Sequence, residues 1–337
     1  MRKGVDTQEL KQHCLLVVDA IKRGRVVPFL GAGVNLCDRP TPINEDADWK
    51  WDNSRSEFLP TGSELAEHLA REFYFPGASS CSTPGCHNPE HALDLARVSQ
   101  YGDTALGGGR LREELRSIFI RDYPITSAHR FLASLPWPAP QAKRTEDRYP
   151  LIVTTNYDDL MEQALEDRNK PDLVYYRLPD DSNRAGFWHA APGMKPVRID
   201  DANKYSYRFF ENHPVILKIH GTIDRANQGQ EGYVITEDHY IEFLAEEALS
   251  NLLPATLLDK LRNSHLLFIG YSLKDWNLRV FLRRLKRDRN KVYSAWAVLR
   301  DADEEEQEFW SKHGVKIINR PLKQYIGELA KVLYDCP

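Results

Sequence analysis

The sequence predicts an α/β fold in which a helical insertion separates the first strand of a parallel sheet from the later strands. Four short apolar runs, rich in β-branched residues, each precede a helical pattern. Each of the four runs ends in small or polar residues. A mostly helical stretch, from Cys37 to about Arg148, lies between the first run and the second. Strands that alternate with helices in this way are typical of a parallel sheet.

The second run, Leu151–Leu160, is the most informative. Its first three residues are apolar, as in a buried strand. Thr154–Asp159 is polar, and apolar residues return at helical spacing from Leu160, so the sequence predicts a helix that begins close to Asp158. Polar residues at the carboxyl end of a parallel strand lie where open α/β sheets bind their ligands. The alternative is an N-capped helix in which one of the two aspartates satisfies free backbone amides.

The first run, Val26–Leu30, continues directly into Gly31-Ala32-Gly33-Val34-Asn35. A Gly-x-Gly turn after a first strand lets the backbone approach a pyrophosphate, with free amides pointing at it. The third glycine of the usual dinucleotide-binding pattern is missing here. The turn therefore indicates a phosphate site, and a glycine turn that binds no ligand is the alternative.

The third and fourth runs also end in residues that can contact a ligand: Pro214–Ile219 before His220, and His265–Ile269 before Gly270 and Ser272. A lone histidine at a strand end is more often a structural residue. The parallel arrangement, however, places His220 at the same edge of the sheet as Asn156. Imidazole is also the side chain best suited to proton transfer near neutral pH. We therefore predict one site at this edge.

We interpret residues 1–337 as a single domain. Its sheet core covers residues about 22–36 and 148–337, and its helical insertion covers about 37–147. Two polar stretches are long enough to be lids over the site or disordered segments, namely the acidic loop Asn44–Glu57 and the stretch Leu178–Phe209.

Composition excludes several classes of protein. Apolar residues make up 42% and charged residues 28% of the 337 residues, as in ordinary globular domains. The net charge of −4 gives no general attraction to nucleic acid or anionic membranes. No signal peptide is visible, no segment approaches the roughly 18 consecutive apolar residues of a membrane span, and the five cysteines are scattered. These features predict a reduced, cytoplasmic protein without membrane contact.

Two further clusters of polar residues could form sites. Four potential zinc ligands lie close together in the chain: Cys81, Cys86, His87 and His91. Structural zinc sites usually take two separated pairs of ligands, so we favour a loop rich in proline and glycine and expect no metal. The helix after Ser272 has a basic face, which we interpret as solvated surface, with an acidic partner or nucleic acid as the alternative. The basic residues are Arg279, Arg283, Arg284, Lys286, Arg287 and Arg289.

Together and in this order, the motifs GAGVN, TTNYDD, KIHGTID and IGYSLKD resemble the sirtuin family, in its bacterial sirtuin-like NAD-hydrolase branch. The resemblance covers residues about 22–36 and 148–290, and it is strong at the motifs and weak between them. It implies a Rossmann-like sheet that binds NAD as the substrate, without a metal ion.

The resemblance also implies a role for each motif residue. The backbone amides of Gly31–Gly33 would hold the NAD pyrophosphate. Asn156 would order water and the nicotinamide ribose, Asp158 would receive the nicotinamide carboxamide, and His220 would be the catalytic base. The turn at Gly270 would contact the adenosine ribose. The implied cofactor-binding residues are Gly31, Ala32, Gly33, Asn35, Thr155, Asp158, Gly270 and Ser272.

The chain departs from the protein-deacylating sirtuins in three ways. Asn35 stands where their opening motif has serine, and the segment G-I-P-D-F-R that follows it in those proteins is absent. Their two Cys-x-x-Cys pairs after the histidine are also absent, because no cysteine lies between Cys86 and Cys336. In the deacylases these cysteine pairs bind a zinc ion, and the groove for the acyl-lysine peptide lies beside this zinc module. The absence of the module therefore argues against deacylation, whereas hydrolysis by water needs no groove.

The resemblance thus implies an NAD+ hydrolase that releases nicotinamide and ADP-ribose and depletes NAD in anti-phage defence. It further implies assembly, either as a homo-oligomer or with a separate activator such as a HerA-type hexameric ATPase. Direct binding of nucleic acid is not expected. Two alternatives remain: an NAD-dependent protein deacylase or ADP-ribosyltransferase, and a non-catalytic module that senses NAD or ADP-ribose.

Overall fold

The computed structural model describes residues 7–40, 51–76, 93–166, 170–179, 184–226, 231–245, 249–271, 280–285 and 290–334. Within these ranges one large sheet contains nine strands. They are β1 Val26–Leu30, β2 Leu151–Thr154, β3 Asp172–Arg177, β4 Gly186–Ala190, β5 Val197–Arg198, β6 Val215–Lys218, β9 His265–Ile269, β10 Ala295–Leu299 and β11 Val315–Asn319. A separate hairpin pairs β7 Gly221–Thr222 with β8 Gly232–Tyr233.

The strands of the large sheet are ordered β11-β10-β9-β1-β2-β6-β3-β4-β5. Neighbouring strands run parallel from β11 to β3, and β4 and β5 add antiparallel pairs at one edge. The four runs predicted from the sequence are β9, β1, β2 and β6, which are adjacent. Their carboxyl ends therefore meet along one edge, and the predicted α/β fold with a Rossmann-like parallel sheet is confirmed.

Packing on both faces of the sheet explains why its central strands are apolar throughout. All five residues of β1 are buried. Val27 and Phe29 face one side, where the Phe29 and Phe268 ring centroids are 4.9 Å apart. Val26 and Leu30 face the other side. A strand that is buried on both faces has no polar alternation, so its sequence is a continuous hydrophobic run.

Helices cover both faces of the sheet. They are α1 Thr7–Lys22, α2 Gly62–Glu72, α3 Leu95–Leu106, α4 Gly108–Phe119, α5 Ser127–Ser134, α6 Leu160–Glu166, α7 Glu237–Ala245, α8 Leu249–Leu252, α9 Ala255–Arg262, α10 Glu304–Lys312 and α11 Leu322–Tyr334. One face is covered by α1, α5, α6 and α11, and the other by α7, α9 and α10. None of the helices in the described ranges has the length and apolar character needed to cross a membrane.

The helices α2–α4, which lie between β1 and β2 in the sequence, form a separate hydrophobic core. A capping box begins α2, because the Thr61 hydroxyl accepts from Glu64 N over 3.2 Å and the Glu64 carboxylate accepts from Thr61 N over 2.8 Å. The same core contains Tyr157 and Leu160, which follow β2. In contrast, α5 packs with α1 and α11 against the sheet. The assignment of residues 37–147 to one insertion stays a prediction.

The stretch Leu178–Phe209, predicted as a lid or a disordered segment, contains β4 and β5. A buried polar network fastens it to the start of β3. His189 Nε2 lies 3.3 Å from Asp172 Oδ1, and the Tyr207 hydroxyl donates to the same oxygen over 2.9 Å. The interpretation of Leu178–Phe209 as a lid or a disordered segment is therefore wrong for β4 and β5, whereas residues 199–209 form turns and irregular structure.

The acidic loop Asn44–Glu57 lies within the described residues only from Trp51 onward. Trp51 is buried in the core of α2–α4, and its indole N–H donates to Phe58 O over 2.7 Å. Arg121 holds the same segment through hydrogen bonds to Asn53 O and, over 3.0 Å, to Ser56 O. This part of the loop is anchored, and the lid prediction applies only to residues 44–50.

Candidate active site

Hydrogen bonds join the ends of β1, β2 and β6 at the carboxyl edge of the sheet. Asn156, just after β2, donates from Nδ2 to Gly31 O over 3.3 Å. Ile219 N, just after β6, donates to Thr154 O over 3.0 Å. Asn156 is buried, with 9% of its surface exposed. The asparagine side chain therefore lies against the glycine turn that follows β1.

The glycine turn packs directly against the end of β9. Gly31 N donates to Ile269 O over 3.0 Å, and Gly33 N donates to Gly270 O over 2.9 Å. A β-carbon on Gly33 would lie 2.7 Å from Gly270 O, which is closer than side chains approach a carbonyl. Gly270 itself has a φ of +73°, in the left-handed region that favours glycine. The two turns thus interlock through their backbones.

This packing corrects the expected role of the turn amides. We expected the amides of Gly31, Ala32 and Gly33 to point at a pyrophosphate, but Gly31 N and Gly33 N already have protein acceptors. Ala32 N has no acceptor within the described part of the chain, and it begins a short 3₁₀ helix, Ala32–Leu36. One amide of this turn, rather than three, therefore remains for an anion.

Asn35 and Asp158 form a buried pair between the β1 and β2 ends. Asn35 Nδ2 donates to Asp158 Oδ2 over 3.2 Å, and Leu160 N donates to Asp158 Oδ1 over 3.2 Å. The helix predicted to begin near Asp158 therefore begins at Leu160, with the carboxylate accepting a hydrogen bond from its first amide. Asn35 Oδ1 is buried and has no hydrogen-bond partner among the described residues. Asp158 is thus engaged by the protein, and Asn35 offers the unpaired acceptor.

Side chains also link the ends of β2 and β9. Thr155 Oγ1 lies 3.1 Å from the Tyr271 hydroxyl, so one of the two donates to the other. A β-carbon on Gly31 would lie 3.0 Å from the Tyr271 ring, which places that ring against the glycine turn. Ser272, expected to contact the adenosine ribose, lies outside the described residues.

His220 follows β6 closely and is buried, with 3% of its surface exposed. Its imidazole packs edge-on against Tyr240 and Phe243 of α7, with ring centroids 5.3 and 6.1 Å apart. The next residue must be glycine, since Gly221 has a φ of +91° and a β-carbon there would lie 1.9 Å from Gly232 O. The turn and α7 together determine where the imidazole lies.

A buried lysine that the motifs did not indicate lies beneath the site. Lys218 is the last residue of β6, and its side chain is fully buried. Its Nζ donates to the carbonyl oxygens of Tyr157, at 3.3 Å, and Asp158. It also donates to Glu162 Oε1 over 2.9 Å. The sequence does contain a signal for this buried lysine, since Lys218 lies inside the apolar run VILKI. Lysine is almost never fully buried without partners, so its position in this run predicts that it has them.

A buried histidine near Asp158 was missed as well. His129 of α5 is 1% exposed, and its Nδ1 lies 2.9 Å from Thr126 Oγ1. Burial lowers the pKa of His129 to about 4, although the Asp158 charge opposes the shift. The ring is therefore neutral at neutral pH and adds no positive charge beside the Asp158 carboxylate.

Potential metal ligands do not cluster within the described ranges. No group of three or more histidine, cysteine, aspartate or glutamate side chains is placed there to hold a metal ion. The four potential zinc ligands of the sequence, Cys81, Cys86, His87 and His91, lie outside those ranges. Cys14 and Cys37, which lie inside them, are free thiols, and burial raises the pKa of Cys14 to about 11.

Sequence comparisons find known proteins that are similar to this chain. The family model of the SIR2-like domain matches residues 150–318. An NAD(+) hydrolase ThsA from Cytobacillus dafuensis is 29% identical over 198 residues, which is 58% of this chain and 31% of that protein. An NAD(+) hydrolase ThsA from Bacillus cereus (strain MSX-D12) is 24% identical over 212 residues, or 59% of this chain and 34% of that protein. Defense-associated sirtuin 2 from Bacillus subtilis is 26% identical over 174 residues, or 50% of this chain and 14% of that protein.

The chain spans about a third or less of the length of these curated relatives. The family model covers half of the chain, and the matched residues include Asn156, Asp158, His220 and Gly270. The resemblance inferred from the four motifs is confirmed, and the chain belongs to the SIR2-like family.

Proposed function

We propose that this chain is an NAD+ glycohydrolase, which cleaves the bond between nicotinamide and ribose. The observation that carries the proposal is the hydrogen bond from Asn156 to Gly31 O, because it brings the amide at the β2 end to the turn that ends β1. Two of the similar proteins are named NAD(+) hydrolase ThsA. Family membership and this geometry together favour NAD over other nucleotides as the substrate.

An unpaired polar atom in the site supports the binding of a ligand that can donate a hydrogen bond. Asn35 Oδ1 is a buried acceptor without a partner in the described part of the chain. Leaving such a group unpaired costs about 1–3 kcal/mol, which a bound donor would recover. The carboxamide N–H and the ribose hydroxyls of NAD are donors of this kind. We therefore assign Asn35 to substrate binding.

The side chains at this edge suit the proposed reaction, in which the ribose becomes electron-poor as nicotinamide departs. Asn156 orients the ribose and the attacking water, and Asp158 acts through Asn35, whose amide it holds. His220 accepts a proton from that water or from a ribose hydroxyl. For the pyrophosphate the proposal assigns Ala32 N, the amide of the glycine turn that has no acceptor among the described residues. Positioning and electrostatics would supply most of the reduction in the barrier.

We propose that the reaction serves anti-phage defence by depleting NAD in the cytoplasm. One similar protein is named defense-associated sirtuin 2. An unrestrained hydrolase of a central cofactor would harm its own cell, so the proposal includes activation by assembly. The chain would assemble as a homo-oligomer or with a separate activator, such as a HerA-type hexameric ATPase. The partner would act by binding the active conformation more tightly than the inactive one.

Product analysis tests the proposed reaction. The purified chain is incubated with NAD, alone and with a HerA-type ATPase, and the products are separated and identified by mass spectrometry. Equal amounts of nicotinamide and free ADP-ribose support hydrolysis. Unchanged NAD under every condition would contradict the proposal. Nicotinamide release that requires an acylated peptide, or that leaves ADP-ribose on a protein, would also contradict it.

A further inference from the structure

Lys218 and Glu162 form an ion pair directly beneath the loop that carries Asn156 and Asp158. The ammonium and carboxylate groups are 2.9 Å apart, and the side chains are 0% and 19% exposed. Lys218 ends β6, and Glu162 lies in the first turn of α6. The pair therefore joins a strand and a helix at the base of the proposed site.

Stability alone does not account for this pair. Removing two charges from water costs energy that a buried salt bridge does not always recover. Burial raises the pKa of Glu162, and the charge of Lys218 opposes the shift. Glu162 Oε2 is buried without a hydrogen-bond partner among the residues described. Apolar side chains of similar volume often replace such a pair with little loss of stability, so the pair needs another explanation.

The explanation lies in which carbonyl groups the lysine holds. Lys218 Nζ donates to Tyr157 O and Asp158 O, and these two residues directly follow Asn156 in the chain. Lys218 itself precedes His220 by two residues on the β6 side of the site. One ammonium group therefore ties the loop of the proposed catalytic amide to the strand of the proposed base.

We infer that Lys218 and Glu162 are positioning residues, which hold the loop of Asn156 and Asp158 at the distance from His220 that NAD cleavage requires. This inference rests on the proposed function. The Glu162 carboxylate holds the ammonium group in place, so that its other N–H bonds reach the two carbonyls. A misplacement of about 1 Å can cost roughly 100-fold in rate. Loss of the pair should therefore lower kcat strongly and change the free energy of unfolding only slightly.

The chain offers a matched control at the opposite edge of the sheet. The Lys260 side chain is also 0% exposed, and its Nζ donates to Gly24 O and Glu146 O, both at 2.7 Å, and to Asp147 Oδ1 at 3.4 Å. Gly24 lies before the amino end of β1, whereas the site lies at the carboxyl ends of the strands. Like Lys218, Lys260 donates to two backbone carbonyls and one carboxylate. Lys260→Met therefore removes a similar buried ammonium group at a place remote from the site.

The test compares the wild type with Lys218→Met/Glu162→Leu, Glu162→Gln and Lys260→Met. Thermal unfolding, amide hydrogen exchange in residues 154–160 and NAD turnover are measured for each protein. The double variant leaves no charge unpaired, so it should fold, exchange faster in residues 154–160 and show a kcat roughly 10- to 100-fold lower with a smaller change in KM. Glu162→Gln keeps an acceptor for the ammonium group and should retain most of kcat. Lys260→Met should change thermal stability alone.

Unchanged exchange in the double variant would overturn the inference, as would faster exchange with unchanged kcat. An equal loss of kcat in Lys260→Met would overturn it too. If the double variant does not fold, Glu162→Leu is compared with Glu162→Gln, and equal turnover by these two proteins overturns the inference. A wild-type protein that cleaves no NAD, either alone or with a HerA-type ATPase, would refute the proposed function. The exchange rates would still decide whether the pair holds the loop.

Discussion

Asn35 donates a hydrogen bond from Nδ2 to Oδ2 of Asp158 over 3.2 Å, although the two residues are 123 positions apart in the chain. Both side chains are buried, with 4% and 6% exposed. Leu160 N donates a hydrogen bond to the other carboxylate oxygen, Asp158 Oδ1. Because a carboxylate only accepts hydrogen bonds, it orients the Asn35 amide so that Oδ1 faces away from it. This orientation leaves Asn35 Oδ1 without a partner among the described residues, and we assign that acceptor to the substrate.

Asn35→Asp should make NAD cleavage fall as pH rises. Two neighbouring carboxylates cannot easily ionise together, so the pair retains one proton and its apparent pKa rises. Below that pKa the protonated side chain can still donate to Asp158, as the amide does in the wild type. Above it, repulsion separates the two groups. The measurement is kcat/KM of the variant and the wild type between pH 5 and 8, and parallel profiles would show that the two side chains do not act together.

Gly33→Ala should destabilise the fold by about 1–3 kcal/mol, because an added β-carbon would lie 2.7 Å from Gly270 O. This loss of stability comes from the clash with the turn after β9. It does not depend on whether a phosphate group binds. Gly109→Ala is the control, since a β-carbon there meets nothing within 4 Å and the residue lies in the first turn of α4, so stability should not fall. Urea unfolding measures both. Equal unfolding midpoints for Gly33→Ala and the wild type would contradict the interlocked turns.

His129 should give the protein a stability that rises with pH. Its pKa is about 4 in the fold against an ordinary value of 6.5, so the folded state binds fewer protons between these values. Stability is therefore lost as pH falls through this window, by about 2 kcal/mol between pH 7 and pH 5. His129→Gln should remove that part of the slope in unfolding experiments at the two pH values. Burial also lowers the pKa of His13 to about 4, and His13 contributes the same pH dependence to the wild type and to His129→Gln. An unchanged slope would show that His129 is not the group responsible.

The strand ends of the site could be predicted because the strands before them are buried on both faces. Val26–Leu30, Leu151–Thr154 and His265–Ile269 have no polar alternation, so each run and its polar end are visible in the sequence. The common edge then follows from the parallel arrangement. The resemblance to a known family depended on the same four segments.

The contacts beneath the site could not be predicted, because they join residues that are far apart in the chain. The partners of Lys218 lie 56 to 61 residues before it. The same holds for Gly33, whose amide is taken by a carbonyl of the β9 turn. In the antiparallel part of the sheet, β4 lies between β3 and the edge strand β5. The buried His189 that fixes β4 lies 3.3 Å from Asp172 of β3. Periodicity within one segment contains no information about such partners.

We expect Asn156 and His220 to act together in one NAD-cleaving site. The measurement is NAD turnover by the wild type, Asn156→Ala and His220→Ala, under the condition that activates the wild type. Asn156→Ala removes a hydrogen bond to Gly31 O that contributes about 0.5–1.5 kcal/mol, so the variant should still fold, and thermal unfolding checks that both variants do. We predict release of nicotinamide by the wild type and none by either variant. Comparable NAD turnover by a folded His220→Ala protein would contradict a shared site.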